Sequence, residues 1–227
     1  MAPRHGSQRR STPTRASSRP RLARSAAILP SSFYARPALE VAPELLGKIL
    51  CHRRRGGSGG LVTSGRIVEV EAYLGSDDPA SHGYRGMTPR NRVMFGPPGR
   101  AYVYFTYGNH FCMNVVTGVD GTASAVLIRA LEPLTGIPAM RRRRARALLV
   151  DLASGPGKLT QALGIGRPCN GLDLTREPLW IRDDGAPAPA FIWTPRIGIR
   201  EGADRLYRFV VPDSPCISRR PRRRLVT

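Results

Sequence analysis

Hydrophobic and polar positions alternate with a period of two along several stretches of the chain, a pattern typical of half-buried β-strands. The alternation is clearest over 61–74, and it returns over 100–106 and 110–116, on either side of Tyr107-Gly108-Asn109. Two such runs around a short Gly-containing turn predict a β-hairpin. A further apolar run over 123–130 predicts another strand.

Other stretches favour helices or ordered loops. We predict a helix over 43–50 with Pro43 in its first turn, a basic helix over 135–150 and a third helix over 154–163. The segment 76–99 has Pro, Gly, Asp and Asn at turn density, which predicts a long ordered loop of the kind that often carries function. The fold class that results is α+β: a single domain with a curved, mostly antiparallel sheet, flanking helices and a protruding β-hairpin.

The two ends of the chain differ from its middle in composition. Residues 1–28 contain seven arginines and no acid, with little apolar periodicity, which predicts a disordered arm. An organelle transit peptide has a similar composition and stays open as an alternative. We expect a folded domain over 29–218 and a basic tail over 219–227.

The chain is strongly basic, with a formal net charge of +20. The middle of the chain stays basic even without the arginines of the two ends, which favours a polyanionic partner such as a nucleic acid. The alternative is a compositional bias, because all but two of the 36 basic residues are arginines, as a GC-rich genome would produce.

Length, apolar runs and cysteines restrict the class of protein. At 227 residues the chain can bury one core. No apolar run approaches the ~18 residues of a spanning helix, and none follows the N-terminal arginines, so we expect neither a membrane segment nor a secretory signal. The four cysteines form no CxxC pair, which favours reduced thiols. We expect a protein that is cytoplasmic and nucleoid-associated in a bacterium, or nuclear in a eukaryote.

Two acids lie on one face of the predicted strand over 61–74. Strict alternation places them with a tyrosine on one side and small apolar residues on the other; the two sets are Glu69, Glu71, Tyr73 and Val68, Val70, Ala72. Acids on a core-like strand are costly to bury unless they are paired or functional. A functional site and a plain alternative, in which both acids meet solvent or nearby arginines, are equally compatible with this pattern.

The predicted hairpin carries a second group of candidates. Tyr102 and Tyr104 share a face, and Tyr107 lies near the tip, where an exposed ring could enter the stack of a DNA duplex. A ring lying on the surface of its own domain is the commoner case for a single tyrosine. Asn114 on the returning strand could hydrogen-bond a base edge or simply bridge strands.

His82 lies in the predicted long loop. It has no second histidine or cysteine at metal-ligand spacing, so we expect no metal site and consider His82 a hydrogen-bonding group for a ligand.

Two basic turns could contact DNA phosphates. Arg90 and Arg92 lie in the turn 88–92, and Lys158 lies in the helix start 155–159, which lacks the spacing of a Walker loop. A solvated loop and a simple helix start are the alternatives.

The run 65–73 resembles the signature strand of the alkyladenine (3-methyladenine) DNA glycosylase family. Further blocks resemble that family in its own order, and together they cover roughly Ser31 to Ser218: Thr88-Pro89-Arg90-Asn91, Tyr102-Val103-Tyr104, Tyr107-Gly108, Phe111-Cys112-Met113-Asn114, Ile128-Arg129-Ala130-Leu131-Glu132-Pro133 and Ser154-Gly155-Pro156-Gly157-Lys158-Leu159.

The resemblance implies a role for each matched residue. Glu71 matches the general base that activates water, and Arg129 matches the arginine near that water and the lesion sugar. Tyr73, His82 and Tyr104 match the residues that hold the flipped base. Tyr107 matches the ring that fills the vacated place in the duplex, and Asn114 matches the residue that discriminates against the exocyclic amine of guanine.

The resemblance also implies the reaction. It is that of a monofunctional glycosylase, which flips alkylated or deaminated purines out of double-stranded DNA and hydrolyses the N-glycosidic bond, starting base excision repair. We expect no cofactor and a monomer. We also expect water as the nucleophile, since a lyase step would need an amine and the two lysines lie elsewhere, Lys48 in a predicted helix and Lys158 near a predicted phosphate contact. A non-catalytic nucleic-acid-binding module and a small-substrate nucleosidase are the alternatives.

Overall fold

The computed structural model describes residues 27–54, 60–106, 108–145 and 148–221. Within these described ranges, ten strands form a single sheet; in chain order they are β1 Ala27–Ile28, β2 Ile49–Arg54, β3 Leu61–Tyr73, β4 Ala101–Thr106, β5 His110–Thr117, β6 Ser124–Thr135, β7 Thr175–Arg176, β8 Leu179–Asp183, β9 Ile192–Thr194 and β10 Arg208–Val210. The α-helices are α1 Ser31–Tyr34, α2 Ala38–Leu45, α3 Ile137–Arg144 and α4 Pro156–Leu163.

The strands are antiparallel in every described pairing, and the main path through the sheet is β1-β8-β2-β3-β6-β5-β4. Strand β3 is the centre of the fold, because it pairs with β2 and β6 and also with β10, which in turn pairs with β9. The predicted α+β class and the hairpin of β4 and β5 are confirmed. The arm up to residue 26, most of the basic tail and Tyr107 at the hairpin tip lie outside the described residues.

Alternate residues of the strands point to opposite faces of the sheet. Helices α2 and α4 cover one face with Leu45 and Leu159, which pack with Val70, Met113 and Ile128 in the main core. The opposite face of β4, β5 and β6 presents different side chains to a cavity, and this face holds the candidate site. None of the helices in the described part of the chain has the length and apolar character needed to cross a bilayer.

The helix predicted over 43–50 is wrong in position. Helix α2 begins after Pro37 and contains Pro43 in its second half, and it ends shortly before Gly47 adopts a left-handed conformation at φ 82°. Ile49 then starts β2, whose first four residues are buried between β3 and β8. A short apolar run fits a buried helix or a buried strand equally well, so periodicity could not separate them.

The boundary between the predicted strand 123–130 and the predicted helix 135–150 also differs. Strand β6 continues to Thr135, and Pro133 lies opposite Gly65, where the register with β3 shifts. A proline is tolerated inside a sheet at such an irregularity. Gly136, at φ 75°, then turns the chain into the shorter helix α3.

Strict alternation fails at Val68. Ile67, Val70 and Ala72 pack in the main core, whereas Val68 packs in a separate cluster with Val210. The register between β3 and β6 shifts on both sides of Glu69, so that Val68 is an extra residue on β3 and Arg129 an extra residue on β6. These paired bulges rotate the strand locally, and bulges commonly re-aim side chains next to functional sites.

Candidate functional site

A cavity of about 390 Å³ opens on the sheet face that α2 and α4 leave uncovered. Its walls come from β3, β4, β5 and β6, from the loop after β3, from Pro156 at the start of α4 and from residues 197–199 after β9. Five of the residues predicted from the sequence line it: Tyr73, His82, Tyr104, Asn114 and Arg129. The structure thus brings together side chains that lie up to 56 positions apart in the chain.

Glu71 lies directly behind the wall of this cavity, with no exposed surface. Its Oε1 accepts a hydrogen bond from the backbone N–H of Ile197 at 2.8 Å. Its Oε2 accepts from the Tyr73 hydroxyl at 3.0 Å and from Arg129 Nη1 at 3.1 Å. All three partners line the cavity, so the carboxylate is one layer from it and is aimed toward it by charged and polar donors.

Glu69, two residues earlier, has a different environment. It is fully buried and accepts hydrogen bonds from Arg129 Nε at 2.9 Å and Arg208 Nε at 2.8 Å. Burial opposes ionisation of Glu69, but the charges of the two arginines outweigh it, so the pKa of Glu69 lies below its ordinary value. The two acids therefore do share a face as predicted; Glu69 is paired with arginines and Glu71 adjoins the cavity.

Tyr73 joins the carboxylate to the cavity. Burial, and then the neighbouring Glu71, raise the pKa of Tyr73 well above its ordinary value, so its hydroxyl stays a proton donor. Arg196 lies over the ring at 4.6 Å from its centroid and is held by a bidentate ion pair with the buried Asp78. Arg196 also donates to the carbonyl of Ala72 at 3.0 Å, which fixes the start of the 197–199 loop.

Three rings form an aromatic wall. His82 Nδ1 and the Tyr102 hydroxyl share a hydrogen bond of 2.9 Å, and the His82 ring lies edge-on to Tyr104 with centroids 4.5 Å apart. His82 has a solvent-exposed part, but its ring is packed against neighbouring atoms. This burial, followed by the charge of Arg90, lowers the pKa of His82. Burial raises the pKa of Tyr102 to about 12, and burial also raises the pKa of Tyr104. A neutral imidazole and protonated phenols suit contact with a flat ligand.

Asn91 holds the long loop in shape. Its side-chain nitrogen donates to the carbonyls of His82 and Gly86, and its oxygen accepts from the backbone N–H of Thr88. The basic turn predicted as a phosphate contact thus has a buried amide at its centre. Arg90, which donates to the carbonyl of Phe105, is exposed there.

The other predicted residues have varied environments. Arg92 is exposed. Asn114 is buried and donates from its side chain to the carbonyl of Tyr102 at 3.1 Å, so it bridges strands and also lines the cavity. Lys158, at the start of α4, pairs with Asp151 at 3.1 Å.

Sequence reasoning missed several residues of the wall. Cys112 and His110 alternate with residues of the core on β5, and this period of two could have placed them beside Asn114. No signal marked Ile197, because its contribution is a backbone N–H from a segment 126 residues after Glu71. Among the described residues there is no group of three or more His, Cys, Asp or Glu side chains that could hold a metal ion.

Comparison with known proteins places this geometry in context. The family model of methylpurine-DNA glycosylases matches residues 32–215. A protein of Methanoculleus marisnigri named "Putative 3-methyladenine DNA glycosylase" is 51% identical over 196 residues, which cover 85% of this chain and 99% of that protein. Proteins with the same name from Burkholderia lata and Rhodopseudomonas palustris are 53% and 52% identical; the matches cover 85% of this chain in both cases, and 91% and 88% of theirs.

Proposed function

Because the chain belongs to the methylpurine-DNA glycosylase family and is therefore a DNA-repair hydrolase of N-glycosyl bonds, we propose that it flips damaged purines out of duplex DNA. We also propose that Glu71 is the general base for hydrolysis of the N-glycosidic bond. The observation that carries the proposal is the position of the Glu71 carboxylate, which lies directly behind the wall of a cavity lined with aromatic rings and is held by three donors that line this cavity. We propose that the lesions include deaminated as well as alkylated purines.

Glu71 has the chemistry of a general base in this position. A carboxylate offers about four lone-pair sites, and three donors among the described residues occupy Glu71, which would leave one site for a water molecule. The N-glycosidic bond breaks through a sugar that carries oxocarbenium-like positive charge. A buried carboxylate stabilises that charge and takes the proton of the attacking water. Arg129 would orient the carboxylate and the water.

The aromatic wall suits the base that leaves the duplex. Stacking on a ring contributes about 1–3 kcal/mol per base and is nearly independent of sequence. Purines alkylated at a ring nitrogen carry positive charge, and the faces of Tyr73 and Tyr104 attract such a base by a cation–π interaction of about 0.5–2 kcal/mol. We propose that His82 hydrogen-bonds the base and that the fixed amide of Asn114 discriminates against the exocyclic amine of guanine.

The chain has two lysines, and the environment of each supports hydrolysis without a lyase step. Lys48 pairs with Asp183 at 2.6 Å, and Lys158 pairs with Asp151 at 3.1 Å outside the cavity lining. A bifunctional enzyme needs an amine that reaches the sugar carbon. Water is therefore the nucleophile that we propose.

Several DNA contacts complete the proposal. Exposed Arg90 and Arg92 lie in the loop that forms the cavity mouth, where they would meet the DNA backbone together with Lys158. Tyr107 would enter the place vacated by the base. We further propose that one monomer acts on one lesion. The protein would be located with the chromosome, at the nucleoid in the cytoplasm of a bacterium or in the nucleus of a eukaryote.

The test uses a duplex with a single 7-methylguanine and, in parallel, one with a single hypoxanthine. Glu71→Gln keeps the size of the side chain but removes the base, so abasic sites should form at least about 100-fold more slowly while the variant still binds the duplex. Glu132→Gln is the matched control, since Glu132 lies on β6 and accepts from Ser214 away from the cavity lining. Cleavage by Glu71→Gln at the parent rate would contradict the role of Glu71.

A further inference from the structure

A buried polar network lies behind the cavity, on the side of Arg129 that faces away from Glu71. At its centre Glu69 accepts four hydrogen bonds. Two come from Arg129 and Arg208; the other two come from Ser218, whose hydroxyl donates to Oε1 at 2.7 Å and whose backbone N–H donates to Oε2 at 2.6 Å. Ser218 therefore brings the C-terminal segment against a carboxylate that is 149 positions away in the chain.

Arg129 connects this network to the cavity through a planar guanidinium. Its Nε donates to Glu69 at 2.9 Å, its Nη1 to Glu71 at 3.1 Å and its Nη2 to the hydroxyl of Ser218 at 3.4 Å. Because the group is rigid and flat, two contacts on one side fix the direction of the third. Glu69 and Ser218 thus determine that a single amino group of Arg129 points at Glu71.

The charges explain why the network must be complete. Glu69 and Glu71 together balance Arg129 and Arg208, and all four side chains are at least nine-tenths buried. If Arg129 were released from Glu69, the nearest remaining acceptor in this network would be Glu71. A bidentate pair between Arg129 and Glu71 would occupy the lone pair that the water needs.

We propose that Ser218 is a positioning residue for catalysis, which acts through Glu69 and Arg129 to keep one site of the Glu71 carboxylate open. The inference rests on the proposed role of Glu71. Ser218 contacts neither the cavity nor Glu71. Its loss should therefore slow the chemical step without weakening the binding of damaged DNA.

The test compares Ser218→Ala with Ser214→Ala. Ser214 is a suitable control because it lies on the same C-terminal segment and also donates to a carboxylate, Glu132, at 2.6 Å, but it is not bonded to Arg129. Excision from a duplex with one 7-methylguanine is measured with enzyme in excess, which separates the single-turnover rate constant from the dissociation constant of the DNA. Each rate is corrected for the folded fraction by circular dichroism.

We expect the single-turnover rate constant of Ser218→Ala to fall roughly 10- to 100-fold with an unchanged dissociation constant, since a displacement of about 1 Å in a catalytic array has effects of that size. Ser214→Ala should keep the parent rate, and Ser218→Thr, which retains the hydroxyl, should recover most of the activity. If Ser218→Ala does not fold, Ser218→Cys fills the site with a slightly larger side chain that is only a weak donor, and it should also be slow.

Two results would overturn the inference. One is a rate constant for folded Ser218→Ala, or for Ser218→Cys in its place, equal to that of Ser214→Ala; the other is a loss that appears only in the dissociation constant. Glu71→Gln in the same assay separates this failure from failure of the proposed function. If Glu71→Gln is inactive and Ser218→Ala is not, the role of Glu71 stands and that of Ser218 falls.

Discussion

Glu69 and Glu71 show what determines the role of a single residue in this protein. The alternation of β3 could place both acids on one face, and the structure confirms it. The same alternation could not tell which acid adjoins the cavity, because the pairing of Glu69 depends on Arg208 and Ser218, which lie 139 and 149 positions after it in the chain. Residue identity and local spacing carry no information on contacts of that range.

Asp78 forms a buried ion pair that no pattern in the sequence indicated. It is fully buried and pairs with Arg196, which is also fully buried and which lies over Tyr73. Breaking a buried pair by removing one partner typically costs about 3–5 kcal/mol. We therefore expect Asp78→Asn to lower the free energy of unfolding by that amount at pH 7, measured by urea denaturation.

This cost should depend on pH in a definite direction. Burial raises the pKa of Asp78, but the hydrogen bond and charge of Arg196 prevail, so the pKa lies below its ordinary value of 3.8. The contribution of Asp78 is then complete above pH 3.8 and is lost as the pH falls further, so the difference between parent and variant should narrow there. Glu44→Gln, at an exposed pair with Arg36, should cost less than about 1 kcal/mol. Equal costs for the two variants at pH 7 would contradict this account.

At the scale of elements, predictions succeeded where a turn residue and a pattern agreed. The hairpin of β4 and β5 and the helix α4 lie within about a residue or two of the predicted positions, because a Gly-containing turn bounds one and Ser154-Gly155-Pro156 starts the other. The predictions for α2 and for the end of β6 failed, because burial on both edges of β2 and the register shift at Pro133 are properties of the assembled sheet.

Helix α4 packs closely against β5 at Gly157, next to a residue of the cavity wall. A methyl group on Gly157 would lie 2.6 Å from Cδ2 and 2.7 Å from Cγ of His110, a residue of the cavity wall. We expect Gly157→Ala to be destabilising, since overpacking costs about 1–3 kcal/mol and exceeds the gain of up to about 1 kcal/mol in helix propensity.

The displaced His110 ring should also weaken binding of damaged duplex by Gly157→Ala. Gly166→Ala is the control, because the nearest atom to its added methyl lies at 3.7 Å, an ordinary contact. Thermal unfolding and a DNA-binding titration of both variants check the prediction. A Gly157→Ala variant as stable as Gly166→Ala, with unchanged DNA affinity, would show that the two elements adjust without moving the wall.

For the whole molecule, composition gave the partner class and the resemblance gave the reaction. The net charge of +20 favoured a nucleic acid, and the family match over residues 32–215 shows a DNA-repair enzyme. The division of the charge between a folded domain and basic ends at 1–28 and 219–227 stays a prediction. What no composition could give is the distribution of the arginines: Arg129, Arg196 and Arg208 are buried in ion pairs and so cannot bind phosphates.

The arginines outside these three buried ion pairs include seven near the N-terminus, and their contribution to DNA binding can be tested. Each phosphate that a protein neutralises on duplex DNA adds about 0.9 to the slope of log K against log salt concentration. Deletion should stop at residue 26, because Ala27 and Ile28 form β1 and pair with β8. The deleted segment contains seven arginines, so if each contacts a phosphate the slope should fall in magnitude by about 6, and by less if only some do.

A chain in which those seven arginines are replaced by glutamine controls for the length of the segment and should show the same loss of slope. The single-turnover excision rate at saturating enzyme should not change in either case. An unchanged slope would mean that the arginines near the N-terminus serve a purpose other than holding DNA, and that the folded domain supplies the electrostatic attraction by itself.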